Sequence, residues 1–138
     1  MSLEENKAIA SRSIELFNTG NLAIIDELYA TNFVSHGLPE VTPDLEGYKQ
    51  FVTMARTALP DFHTTVEDII AEGDKVVQRF TARGTHKGEF MGIPPTGKQV
   101  TITGIAIDRI AGSKIVENYA NMDMLGMMVQ LGVVPSPG

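Results

Sequence analysis

Lys114-Ile-Val-Glu-Asn-Tyr-Ala-Asn-Met-Asp123-Met-Leu-Gly-Met-Met-Val-Gln-Leu-Gly132 is the stretch on which the fold turns. Its first ten residues read as a strand. Side chains alternate across a strand, so Glu117, Tyr119, Asn121 and Asp123 share one face, and Val116, Ala120, Met122 and Met124 mostly make the other. A polar, ionisable face inside so apolar a segment has two readings. It is either the solvated outside of a sheet or the lining of a hollow. In the second case Asp123 is a carboxylate among methionines and leucine. Desolvation would then disfavour its charge and suit it to proton transfer near neutral pH.

Working outward, the residues before this strand alternate with period two. Phe62 to Glu72 reads as a strand turned at Gly73-Asp74, and Lys75 to Gly84 answers it as a hairpin. Gly84 to Gly97 is rich in turn residues and reads as a long irregular connection. Lys98 to Ile110 is a further strand, turned at Ala111-Gly112-Ser113 into the Lys114 strand. Gly84 and Gly104 inside strands mark expected bulges.

The first sixty residues follow a helical period instead. Ser2-x-x-Glu5 is a capping box opening a helix through Ile9, Leu16 and Phe17 to a C-cap at Gly20. A second, short helix starts at Asn21, with Leu22, Ile25, Leu28 and Tyr29 on one face. Phe33 to His36 is a short extended piece. A third helix opens with Pro43 at its first position and ends at Pro60, with Tyr48, Phe51, Val52, Ala55 and Leu59 in its core stripe. Three helices followed by a mainly antiparallel sheet predict one α+β domain over 1–138, with 133–138 as a loose tail.

Composition narrows the function. Net charge is −6, with 11 Lys and Arg against 17 Asp and Glu, which argues against nucleic acid or an anionic membrane as partner. No cysteine is present, so thiolate chemistry, disulfides and cysteine-ligated metals are out. No apolar run reaches the ~18 residues of a membrane span, and the polar start argues against a signal peptide, so a soluble, cytoplasmic protein is expected.

Several motifs fall away on inspection. Gly92-Ile-Pro-Pro-Thr-Gly97-Lys98 has phosphate-loop spacing, but Gln99 stands where Ser or Thr must be, Pro94 and Pro95 lack N–H donors, and a strand follows. Of His36, His63 and His86, only His63 in Asp61-x-His63 has ligand spacing, so no metal is expected. No Gly-x-Ser-x-Gly and no strand-following Gly-x-Gly-x-x-Gly occurs, so neither acyl-enzyme chemistry nor a dinucleotide cofactor is expected. Arg79 lies mid-strand, where a buried guanidinium would need Asp123 or Glu117 as partner. Arg83 reads as solvated.

The Lys114 stretch, taken with Gly84-Thr-His86-x-Gly88-Glu-Phe90, Gly92-Ile-Pro-Pro-Thr-Gly-Lys98, Leu59-Pro-Asp61 and Glu72-Gly-Asp-Lys-Val-Val77, resembles the SnoaL-like polyketide cyclases of the nuclear transport factor two-like superfamily. The resemblance runs from about residue 6 to residue 132. It implies a strongly curved sheet forming a cone closed by the helices, with a pocket inside. It also implies a cofactor-independent aldol ring closure on a small hydrophobic carbonyl or polyketide-like substrate, with Asp123 as acid and base. His86 joins it as a second catalytic candidate, and His36, Tyr119, Asn121, Arg79, Phe90 and Phe51 are the candidate pocket residues. The alternatives are an isomerase, dehydratase or hydrolase on the same fold, and a non-catalytic binder of small ligands that works through the late Met and Leu residues. Apolar residues on both faces of the strands predict a homodimer or homotetramer, and the resemblance agrees, because these folds commonly pair through their sheets.

Overall fold

The computed structural model describes residues 2–38 and 40–135; of the expected loose tail, 136–138 lie outside the described residues. Helix α1 (Leu3–Thr19) starts on the expected capping box. Ser2 Oγ accepts from the Glu5 N–H at 3.1 Å, and the Glu5 carboxylate accepts from the Ser2 N–H at 3.3 Å. It stops at Gly20, whose φ of 71° is left-handed and whose N–H reaches the Leu16 carbonyl. Helix α2 (Ala23–Leu28) is a single short run, and Tyr29, expected on its face, instead opens strand β1 (Tyr29–His36). Helix α3 (Leu45–Ala58) begins later than Pro43 predicts. Asp44 is its N-cap, accepting from the Gly47 N–H at 2.9 Å, so Pro43 stands just outside. Its buried face, Tyr48, Phe51, Val52, Ala55 and Ala58, is the expected stripe.

Strands β2 (His63–Glu72), β3 (Lys75–Thr85), β4 (Gln99–Ala111) and β5 (Lys114–Met122) form the antiparallel part of a five-stranded sheet ordered β1-β5-β4-β3-β2. β1 lies parallel to β5 at one edge. The sheet is thus mixed, with one parallel pair in a curved, mainly antiparallel sheet. A fourth helix, α4 (Met124–Leu131), follows β5 directly and was not foreseen. It closes the β4 edge beyond the end of β5. Thr103 O accepts from the Asp123 N–H at 2.9 Å, and the Gln130 side-chain amide pairs with Thr101 N (2.7 Å) and O (2.8 Å). An amide side chain thereby takes the place of a missing strand.

The register shifts fall between Tyr29 and Val34 on β1, between Val66 and Asp68 on β2 and between Arg109 and Ile110 on β4, not at Gly84 or Gly104. Those two glycines answer a different demand. A Cβ on Gly104 would stand 2.6 Å from the Phe80 ring, and one on Gly84 2.8 Å from the Leu59 Cβ. They mark close approach, not extra residues. The core falls into two clusters. One joins Leu16, Ile25, Phe33 and Tyr48 around α1, α2 and β1. The other joins Leu59, Ala82, Ile102 and Met127 around the α3 C-terminus and α4.

Candidate functional site

A pocket lies between the two clusters, over the inner face of the sheet. Strand parity and register decide what lines it. On β5 the inward residues are Asn118, Ala120 and Met122, and their partners on β4 are Asp108, Ala106 and Gly104. These pair onward with Val76, Gln78 and Phe80 of β3. Three rows therefore cross the floor. In the middle row Ala106 and Ala120 carry single methyl groups, which leaves the hollow. Beyond it the walls are apolar: Phe80, Ile102 and Met122 from the sheet, Phe17 and Phe51 from the helices, and Met127 from α4. Phe90 joins them, held by the tight turn in which the Phe90 and Ile93 backbones pair reciprocally.

The polar end is the Asp108–Asn118 row. Asp108 is 3% exposed, and its Oδ1 accepts from Asn118 Nδ2 at 2.7 Å. Burial raises its pKa from 3.8 to about 6, against a smaller lowering by the Asn118 hydrogen bond. Tyr48 lines the same pocket, and the Tyr29 hydroxyl donates to the Tyr48 oxygen at 3.3 Å. Burial holds both phenols above their usual range, and the Asp108 charge pushes them the same way. Both therefore stay protonated as donors. Among the described residues, Asp108 is the one carboxyl group lining the pocket.

The sequence-predicted residues divide. Phe51 and Phe90 line the pocket. Asp123 does not: it is exposed, and its carboxylate is the N-cap of α4, accepting from the Gly126 N–H at 2.9 Å. Tyr119 and Asn121 sit on the outer face of β5, opposite to the inward Asn118 and Ala120. The polar face of β5 is thus the outside of the sheet. There Glu117 gathers Arg109 (2.6 Å), the Tyr119 hydroxyl (2.9 Å) and His36 Nε2 (3.2 Å), and these three bonds bring its pKa down to about 2. The His36 ring stacks on Tyr119 with centroids 4.4 Å apart. Arg79 pairs with Asp68 at 2.7 Å, not with Asp123 or Glu117, and both partners are exposed. His86 is fully buried behind the 86–98 connection, with Nδ1 accepting from the Thr96 N–H at 3.2 Å, and it does not line the pocket. Asp61 of the Asp61-x-His63 pair accepts from the Thr85 N–H and hydroxyl, at 2.7 and 2.8 Å.

Asp108, Asn118 and Gln78 were missed. A signal for Asp108 was present: Val100, Ile102, Gly104, Ala106, Asp108 and Ile110 alternate along β4, and Asp108 is the one acid on that small-and-apolar face.

Residues 7–131 match the family model of the SnoaL-like polyketide cyclases. The chain belongs to that family. Among relatives of this SnoaL-like protein is aklanonic acid methyl ester cyclase DnrD of Streptomyces peucetius, 30% identical over 129 residues, or 90% of this chain and 88% of that one. DauD of Streptomyces sp. strain C5, with the same activity in its name, is also 30% identical, over 90% of this chain and 80% of its own. Among solved structures, IdmH of Streptomyces antibioticus, a candidate polyketide cyclase, superposes with a TM-score of 0.80 at 36% identity, covering 93% of this chain and 99% of IdmH. AclR of Streptomyces galilaeus, a candidate hydroxylase, superposes with a TM-score of 0.88 at 29% identity, covering 98% and 89%. Membership supports a cyclase-type function. Among the described residues no helix is long and apolar enough to cross a membrane.

Proposed function

We propose that this SnoaL-like protein closes a carbon–carbon ring in a small hydrophobic carbonyl compound, with Asp108 as the proton carrier. The observation that carries this reading is a buried carboxyl at the polar end of an otherwise apolar pocket. As carboxylate, Asp108 removes a proton from the carbon next to one carbonyl. The enolate carbon attacks a second carbonyl of the same molecule, forming the C–C bond. The resulting alkoxide takes the proton back from Asp108, so the step is neutral in protons and electrons. A pKa near 6 lets one group serve as base and then acid near neutral pH. Asn118 fixes the carboxyl through Oδ1, and the Tyr48 hydroxyl is a donor for the developing oxyanion. Met122, Met124 and Met127 supply an adaptable apolar wall. No cofactor enters any step.

The test is Asp108→Asn, assayed by chromatography for cyclisation of an aryl diketone. Turnover should fall by about 10²–10⁴-fold while ketone affinity holds. Retained turnover would refute the assignment. Wild-type protein that binds ketones without any turnover would favour a second reading, a carrier or binder, which the predominance of apolar lining supports.

The outer sheet face supports a homodimer in the same proposal. Ile70, Val77, Ile107, Tyr119 and His36 form one cross-strand row over all five strands, beside Ile105 in the next row. Ile70 is 61% exposed and Ile105 49%. A second copy covering this face is the occupant that matches a row of this length.

A further inference from the structure

We propose that Gln78 selects a hydroxylated ligand: its amide oxygen accepts a hydrogen bond from a hydroxyl on the same molecule whose carbonyl meets Asp108. The inference deepens the reading above and rests on it.

Gln78 lies on the inner face of β3, lines the pocket and is 2% exposed. Its orientation is set by a neighbour. Nε2 donates to the Ala10 carbonyl of α1 at 2.9 Å. A flipped amide would put oxygen against oxygen there, so Oε1 must take the other position. That oxygen is buried and has no hydrogen-bond partner among the described residues. Buried acceptors are almost always satisfied, and one left without a donor is costly. Among the described residues, two other buried side-chain atoms share this condition, Asn6 Oδ1 and His86 Nε2, but neither residue lines the pocket. Anchoring α1 to the sheet accounts for the Gln78 nitrogen and leaves its oxygen without use.

Register places Gln78 relative to the acid. Gln78 stands opposite Ala106, and Ala106 opposite Ala120; the adjacent row is Val76, Asp108 and Asn118. Gln78 and Asp108 are therefore diagonal neighbours on one face, roughly 7–8 Å apart. A ligand lying over the two alanine methyls meets both groups along one edge, and its remaining surface faces Phe80, Ile102 and Met122. Among the described residues no cationic side chain lines the pocket, which disfavours an anionic ligand, and the apolar wall makes burying an ammonium costly, so the donor is a neutral hydroxyl and the ligand class is a hydroxylated aryl or alicyclic ketone.

Titration calorimetry with tetralone, its ring-hydroxylated isomers and their methyl ethers tests this. One hydroxylated isomer should bind the wild type about tenfold more tightly than both tetralone and its own methyl ether, which accepts but cannot donate. Gln78→Met, near in volume, should abolish that preference while still binding tetralone. A purely anchoring Gln78 would change stability and leave the ratio alone. Should Gln78→Met fail to fold, the hydroxyl-to-ether ratio on the wild type decides. Equal binding of all three, or a preference surviving in Gln78→Met, overturns the inference and leaves the ring-closure reading standing. No binding of tetralone itself overturns the ketone reading, and the inference with it.

Discussion

Replacing Asp108 by Asn removes a titrating group without changing shape, and the structure says how the stability should respond. The carboxyl titrates at about 6 when folded, against an ordinary 3.8, because it is buried. Folding therefore raises its proton affinity. Its stabilising contribution is present in full below the unfolded pKa and is lost as pH rises through about 6. A shift of about two units at 1.36 kcal/mol each makes that loss ~3 kcal/mol. The amide of Asp108→Asn cannot titrate, and its carbonyl oxygen still accepts from Asn118. The variant-minus-wild-type stability should therefore climb by ~2.4 kcal/mol between about pH 4 and pH 7.5, with the variant gaining and the rest of the loss falling below pH 4. Urea denaturation of both proteins across that range measures it, and every other titrating group cancels in the difference. A flat difference would mean that Asp108 is not buried as a carboxyl, and the proton-carrier role would fall with it.

Two further outcomes follow from the site and the sheet. Asp123→Ala removes the α4 cap and should cost about 1 kcal/mol in thermal or urea unfolding while ring closure continues at the wild-type rate; a collapse of turnover equal to that of Asp108→Asn would overturn the assignment of the proton carrier. Light scattering at micromolar concentration should give a mass of about twice the 15.0 kDa of one chain, and Ile105→Arg on the outer face should return it toward one. A wild-type monomer would refute the pairing.

The sequence by itself determined the elements that depend on local chemistry. The Ser2/Glu5 box, the Gly20 stop, the α3 stripe around Phe51 and the turns at Gly73 and Gly112 are contacts between near neighbours in the chain, so their residue types announce them. The recurring motifs were also enough to indicate the family. Alternation showed that β5 has two faces, but not which one is concave. That depends on which way the sheet curves, and curvature is decided by helices and strands far away in sequence. The face with Glu117 and Tyr119 turned out to be the outer one, where Arg109 and His36, each from another strand, complete its polar network. The same limit hid Asp108 and Gln78. Their meaning lies in a cross-strand partner at Asn118 and a helix carbonyl at Ala10, which only the folded chain brings within hydrogen-bonding distance. Burial then raises the proton affinity of an ordinary aspartate, because low polarity around a charge is a property of the assembled pocket and of no residue within it.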